Sequence, residues 1–374
     1  MQNKKVRIIS FQNAQNYGAI LQAFALQKVI EGFEGVDVKF INYNPKYLKK
    51  RYRVLSIFNN FTKYSLKIKL KFALTIPLLM INRIRRNSAL CKSREKLLRQ
   101  TQKEFHYFEE IQDEQCEYLI CGSDQIWSTW ITHTPDPAFY GAGNYKNLKR
   151  TIAYAPSSEM STFQDKEQVN KIKELLRNFD AISVREESIK KEIEKITNKP
   201  VGICVDPTIL CGVKPFSDVA SPRMVSKPYI LVYAYNSSDK LIRQMIQSVP
   251  STENYEVHYL TFGSTGLSGI VNKCIHSEAG IEEFLSLFKY SSYVVTNSFH
   301  GLAFSLLFEK PFNVGYVEGI SGRVESLLKQ LNLSNRLIKD TKDLSWENIN
   351  FMDVKEKLSI IRSHSLSFLQ DNIN

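Results

Sequence analysis

His300 and Arg185 are the side chains whose type and placement best suit chemistry. His300 lies in Thr296-Asn297-Ser298-Phe299-His300-Gly301, between an apolar run at 293–295 and an apolar stretch closed by Pro311. The first run predicts a buried strand and the second a helix. A polar loop between a strand end and a helix start is where open α/β sheets bind ligands, because backbone N–H groups and the helix dipole face an anion. An imidazole there is a candidate acid or base, the alternative being a structural role at the helix start. Arg185 ends a predicted strand at 181–184. Its planar fork suits a carboxylate or phosphate, or else an ion pair with Glu186 or Glu187. Gly122-Ser123-Asp124-Gln125-Ile126-Trp127 follows a predicted strand at 118–121. Ser123 and Asp124 can bind hydroxyls and Trp127 can offer an apolar platform, unless Asp124 only caps the next turn. Asn16, Tyr17 and Gly18, with Gln22 a turn later, open the first predicted helix as a ligand cradle or as a capping turn.

The elements that must position these residues form two series. Strand signals at 6–11 and 36–41 flank a helix at 19–30, and strands follow at 118–121, 151–155, 181–184 and 201–205. The loop after the first strand lacks GxGxxG, so a dinucleotide fingerprint is absent. Residues 211–227 lose apolar periodicity, hold Pro215 and Pro222 and run into Pro228, which reads as a linker. A second series follows: strand 229–235, helix 239–249, strand 255–262, helix 282–290, the His300 motif, a helix at 324–331 after Arg323, and a closing helix at 354–369. Gly263, Gly266 and Gly269 lie in a loop that lacks the Lys-Ser/Thr of a P-loop. The expected fold is α/β with two Rossmann-like domains facing a cleft. Residues 1–215 form the first, 216–352 the second, and 353–374 the closing helix.

The 374 residues are globular in composition, 43% hydrophobic and 24% charged. Six scattered cysteines without metal-ligand spacing fit free thiols in a reducing compartment. A strand begins almost at once and no apolar run reaches bilayer-spanning length, so a cytoplasmic protein is expected. The net charge of +12 is local: residues 45–103 hold 17 Lys/Arg and one acid, Glu95, while the rest is slightly acidic. Within this helical insertion the apolar run 72–81 is bracketed by Lys71 and Arg83. That pattern suits a helix pair on an anionic membrane surface, the alternative being a helical excursion packed on the protein.

Seven phrases, in order, resemble those of the polysaccharide pyruvyl transferases. They are Asn16-Tyr17-Gly18-Ala19-Ile20-Leu21-Gln22-Ala23, Cys121 to Trp127, Ala153-Tyr154-Ala155 with Ser157, Ser183-Val184-Arg185-Glu186-Glu187-Ser188, Val205-Asp206-Pro207-Thr208, Asn297 to Gly301, and Arg323-Val324-Glu325-Ser326-Leu327-Leu328. The resemblance implies a GT-B-like fold and transfer of the enolpyruvyl group of phosphoenolpyruvate to two sugar hydroxyls, giving a pyruvate ketal in surface-polysaccharide synthesis. It implies His300 as general acid and Arg185 on the donor's carboxylate or phosphate. Asn297, Ser298, Phe299, Gly301 and Arg323 would bind the donor. Asn16, Tyr17, Gly18, Gln22, Gly122, Ser123, Asp124, Trp127 and Ser157 would face the acceptor. No metal or other cofactor is implied. A polyprenyl-diphosphate-linked acceptor would give residues 45–103 a reason to sit on the inner membrane face. One departure is Tyr154-Ala155-Pro156-Ser157-Ser158-Glu159, where many members read Tyr-Ala-x-Ser-Phe-Gly.

A GT-B glycosyltransferase using a nucleotide sugar is the alternative, with Glu309 or Glu318 for the donor ribose. A non-catalytic assembly protein keeping only the fold is a further rival, against which the His300 and Arg185 pair counts. Nucleic acid is not an expected partner, since the basic segment lacks an aromatic stacking pattern.

Overall fold

The computed structural model describes residues 3–52, 66–235, 239–260, 274–318 and 321–373. Two six-stranded sheets, parallel throughout, carry the fold. The first runs Val36–Phe40, Lys4–Ile9, Tyr118–Asp124, Arg150–Pro156, Ala181–Val184, Val201–Ile203. The second runs Ile275–His276, Glu256–Leu260, Tyr229–Tyr233, Tyr293–Thr296, Phe312–Gly315, Leu337–Ile338. Central strands such as Tyr-Ile-Leu-Val-Tyr at 229–233 are buried along their whole length, as a sheet covered on both faces requires.

Each sheet reverses its strand order once. In the first this occurs between Lys4–Ile9 and Tyr118–Asp124, and in the second between Tyr229–Tyr233 and Tyr293–Thr296. Loops leaving adjacent strands at such a point diverge and open a crevice. Here the two crevices share one cavity of about 690 Å³. Phe11, Asn16 and Asp124 line it from the first sheet, Tyr235, Ser298 and His300 from the second. This is the expected GT-B-like pair of Rossmann-like domains facing a cleft.

An aromatic seam joins the halves. Tyr17 stacks on Phe284 at 4.7 Å between ring centres, Phe284 meets Phe304 at 5.4 Å, Phe304 meets Phe216 at 5.1 Å, and Phe216 meets Phe24 at 6.0 Å. Such pairs contribute about 0.5–1.5 kcal/mol each beyond their burial. The closing helix, Phe351–Ile373, crosses back to the first sheet, where Ser365 Oγ accepts from Val205 N at 3.0 Å and Phe368 packs on Tyr154.

Three segments differ from expectation. The strand expected at 118–121 continues through Asp124, because Gly122 and Asp124 stay paired with Tyr154 and Pro156. Gly122 permits this at φ +139, where a Cβ would lie 2.0 Å from the Tyr154 carbonyl oxygen. The supposed linker contains a helix, Lys214–Val219, whose Phe216 is buried in the seam. Phe216 and the partly buried Val219 are the apolar residues that mark it in the sequence. Within 45–103 the chain forms Lys46–Tyr52 and a long helix, Leu66–Leu97. Residues 53–65 and most side chains of the apolar run 72–81 lie outside the described residues, as does the glycine loop at 263–269. From Arg86 onward the long helix packs on the protein: Leu90 is buried and Ser93 Oγ donates to Glu282 Oε2 at 2.5 Å. Ile81 and Ile84 on its earlier part are exposed. Among the described residues no helix is long and apolar enough to cross a membrane.

The second sheet carries a built-in acid sensitivity. His258 Nδ1 and His276 Nε2 are 2.8 Å apart, and burial together with the His258 charge holds His276 down to about 4. A histidine protonated more readily when unfolded favours the unfolded chain, so stability falls as pH drops from about 6.5 towards about 4. Chemical denaturation at pH 7 and pH 5 should show a smaller loss for His276→Gln than for the wild type. An identical loss would assign the sensitivity to other groups.

Candidate active site

His300 and Arg185 come from different sheets and meet at a third residue, Asp206. Asp206 follows the Val201–Ile203 strand and caps the short Pro207–Cys211 helix, accepting from Thr208 N at 2.8 Å and Thr208 Oγ1 at 2.6 Å. Arg185 Nη2 lies 2.7 Å from Asp206 Oδ2, and His300 Nε2 lies 3.9 Å from the same oxygen. Burial alone would raise Asp206, but Arg185, His300 and the two bonds from Thr208 outweigh it and hold the carboxyl below its ordinary value. Burial pushes His300 below its ordinary value, with Arg185 and Arg323 acting the same way, while Asp206 and Asp124 push back.

The donors left over define the site. Arg185 Nη2 also donates to Ser123 Oγ at 2.5 Å, but its Nε and Nη1 are buried without a hydrogen-bond partner, as is His300 Nε2. Buried polar groups are nearly always paired, so unpaired nitrogens on the Arg185 guanidinium and the His300 imidazole point to a polar ligand. Phe299 is within reach of two guanidiniums, with Arg185 at 5.1 Å and Arg323 at 5.7 Å from its ring centre. Arg323, in the first turn of the Gly322–Gln330 helix, lines the cavity together with Ser298, Phe299 and His300.

The other predicted residues divide into cavity wall and support. Asn16 does both, lining the cavity while its Oδ1 accepts from Ala19 N at 3.2 Å as a helix cap. Asp124 lines the cavity and caps no turn. Gly18 is required by contact: a Cβ there would sit 2.1 Å from His300 Nδ1. Gly301 is required likewise, since a Cβ would lie 2.0 Å from Thr296 Oγ1. Ser123 braces Arg185, and Ser157 Oγ donates to Glu186 Oε1 at 2.7 Å. Asn297 Oδ1 accepts from Tyr235 N at 2.8 Å and so ties together the two loops of the second switch point.

Three expected acceptor contacts are corrected. Trp127 is only 1% exposed, stacks on Tyr140 at 5.0 Å and donates Nε1 to the Phe139 carbonyl, so it is core and no platform. The tryptophan on the cavity wall is Trp130, 68% exposed, with the Arg51 guanidinium 4.4 Å from its ring centre. Tyr17 is buried in the seam and donates to the Ala279 carbonyl at 2.7 Å. Gln22 is buried and donates to Ser10 Oγ at 2.8 Å, off the cavity wall. Asp206 is the residue that motif reading passed over. Its signal was the same strand-end position that singled out Arg185. Of the acids proposed for a nucleotide ribose, Glu309 pairs with Lys355 at 2.9 Å away from the cavity, and Glu318 lies on its exposed rim.

The fold and site define a two-domain α/β protein with His300 and Arg323 on the cleft wall and the Arg185 guanidinium buried beside them. The model of the family "Polysaccharide pyruvyl transferase" matches residues 16–314, and the chain belongs to that family of transferases in polysaccharide biosynthesis. No curated protein matches the chain. Similar solved structures include a Staphylococcus aureus MnaA–UDP co-structure, 13% identical with TM-score 0.44, covering 98% of this chain and 91% of that one. A Neisseria meningitidis UDP-GlcNAc 2-epimerase bound to UDP-GlcNAc is 10% identical with TM-score 0.44, covering 98% and 94%. The Streptomyces nogalater glycosyltransferase SnogD is 11% identical with TM-score 0.37, covering 98% and 95%.

Gly18→Ala tests the packing of His300. The added methyl should displace the imidazole and lower kcat by about 100-fold, the scale of a 1 Å misplacement. Full activity in a folded Gly18→Ala protein would contradict the placement of His300.

Proposed function

We propose that this transferase moves the enolpyruvyl group of phosphoenolpyruvate onto two hydroxyls of a sugar, releasing phosphate and leaving a pyruvate ketal. The observation that carries the reading is the group of buried nitrogens without hydrogen-bond partners on Arg185 and His300 beside Arg323; His300 and Arg323 line the cavity and Arg185 is buried next to them, off its wall, a setting suited to a small molecule bearing both carboxylate and phosphate. His300 gives a proton to the methylene carbon, C3, so that positive charge develops at C2. Arg185 holds the donor's carboxylate or phosphate, and Arg323 serves the phosphate. The backbone from Ser298 to Gly301 offers N–H groups at the start of the Phe299–Leu307 helix. The first sugar hydroxyl adds at C2, the phosphate leaves, and the second hydroxyl closes the ketal. Burial favours the neutral imidazole, and an anionic donor beside it supplies the field that draws a proton onto it.

The acceptor enters the same cavity from the side of Asn16, Asp124 and Trp130. The reading extends to a polyprenyl-diphosphate-linked saccharide of a capsule or exopolysaccharide pathway. Residues 45–103 would then rest on the inner face of the membrane, with the exposed Ile81 and Ile84 towards it.

Incubation with phosphoenolpyruvate and a panel of nitrophenyl and lipid-linked sugars should release phosphate and add the mass of a ketal. His300→Ala should lower kcat by about 10²–10⁴, the usual weight of a general acid. Turnover of nucleotide sugars without any use of phosphoenolpyruvate would overturn the assignment. For the membrane part, vesicles containing anionic lipid should pull down the protein at low salt, and binding should weaken as salt is raised. Equal partition with and without vesicles would remove that part.

A further inference from the structure

The reaction just proposed calls for a proton acceptor on the sugar side of the cavity. Each hydroxyl that attacks C2 must lose its proton; Arg185 and Arg323 cannot take it, and His300 can do so only after its own proton has passed to C3. Three carboxylates line the cavity among the described residues: Asp124, Glu159 and Glu318. Glu318 is exposed to solvent at the rim. Glu159 is engaged, its Oε1 accepting from Trp130 N at 3.0 Å and from Thr162 Oγ1 at 2.7 Å. Asp206, beneath the wall, is committed to Arg185 and Thr208.

Asp124 differs from all of these. It is 9% exposed, lines the cavity, and its carboxylate accepts no hydrogen bond and forms no ion pair among the described residues. Its charge acts on both His300 and Tyr52. It shares the cavity wall with His300, Tyr52, Arg51 and Trp130. The backbone holds it there at φ +70, a region non-glycine residues seldom occupy and one that tends to mark functional positions.

We propose that Asp124 is the catalytic base for the acceptor, and that the sugar hydroxyls are presented to it from the Trp130 side of the cavity. The assignment rests on the pyruvyl-transfer reading and completes its proton balance. As the first hydroxyl oxygen bonds to C2, its proton passes to Asp124, while the proton from His300 has gone to C3. The C2–O bond to phosphate then breaks, and the departing phosphate oxygen takes the proton held by Asp124. The second hydroxyl bonds to C2 and gives its proton to Asp124, which returns it to His300. Two C–O bonds form, one breaks, and both groups regain their starting state.

Two variants keep the strained backbone, because asparagine and glycine both tolerate positive φ. With phosphoenolpyruvate and a nitrophenyl glycoside that the wild type turns over, Asp124→Asn should lower kcat by about 10²–10⁴. Its dissociation constant for phosphoenolpyruvate, measured by calorimetry, should stay within about threefold of wild type. Asp124→Gly should regain activity in added formate, which can enter the vacated space and accept the proton. An Asp124→Asn enzyme within tenfold of wild-type kcat would overturn the assignment, and so would a loss in Asp124→Gly that formate does not relieve. A wild type that releases no phosphate from phosphoenolpyruvate would remove the reading and the assignment together. Wild-type turnover with an active Asp124→Asn would remove the assignment alone.

Discussion

The site depends on one buried carboxylate shared by an arginine and a histidine. Asp206 has no access to water, so its charge persists only because Arg185 and the bonds from Thr208 stabilise it, with His300 3.9 Å away. Removing one partner of such a pair typically costs about 3–5 kcal/mol, because the other is left buried and uncompensated. The contact also crosses the cleft, with Arg185 and Asp206 from the first half and His300 from the second. The aromatic seam from Tyr17 to Phe24 lets this geometry be held, since it fixes the two halves relative to each other by apolar packing.

That shared carboxylate leaves each of its two partners incompletely satisfied. Arg185 spends one nitrogen on Asp206 and Ser123 and keeps Nε and Nη1 unpaired, and His300 keeps Nε2. In the proposed reaction the two carboxylates divide the work by environment. Asp206 is held charged by its partners and orients, whereas Asp124 has no such partner and is available to the substrate.

The architecture was legible because apolar runs of strand length alternate with helical periodicity, and a linker-like stretch divides them. The polar strand ends were legible for the same reason: a sheet covered on both faces can place polar loops only at its edges. Arg185, His300 and Asp124 were found that way. What sequence did not reveal was the direction each side chain takes after leaving its strand. Trp127 and Trp130 are three residues apart, one in a loop and one in the short Thr129–Thr132 helix, and packing against Tyr140 makes the first core while the second lines the cavity. Tyr17 and Gly18 are neighbours, yet one stacks in the seam and the other makes room for an imidazole. The role of Asp206 was hidden for a related reason. An Asp before Pro reads as a helix cap, which it is, and its second set of partners is remote in sequence.

The most direct test is the titration of the His300 imidazole, followed by NMR on histidine-labelled protein and assigned with His300→Ala. Without donor, the imidazole should titrate below the ordinary histidine value, and lower still in Asp206→Asn. With saturating phosphoenolpyruvate it should move upward, as a general acid beside an anionic substrate must. A titration unmoved by both phosphoenolpyruvate and the loss of the Asp206 charge would contradict the account.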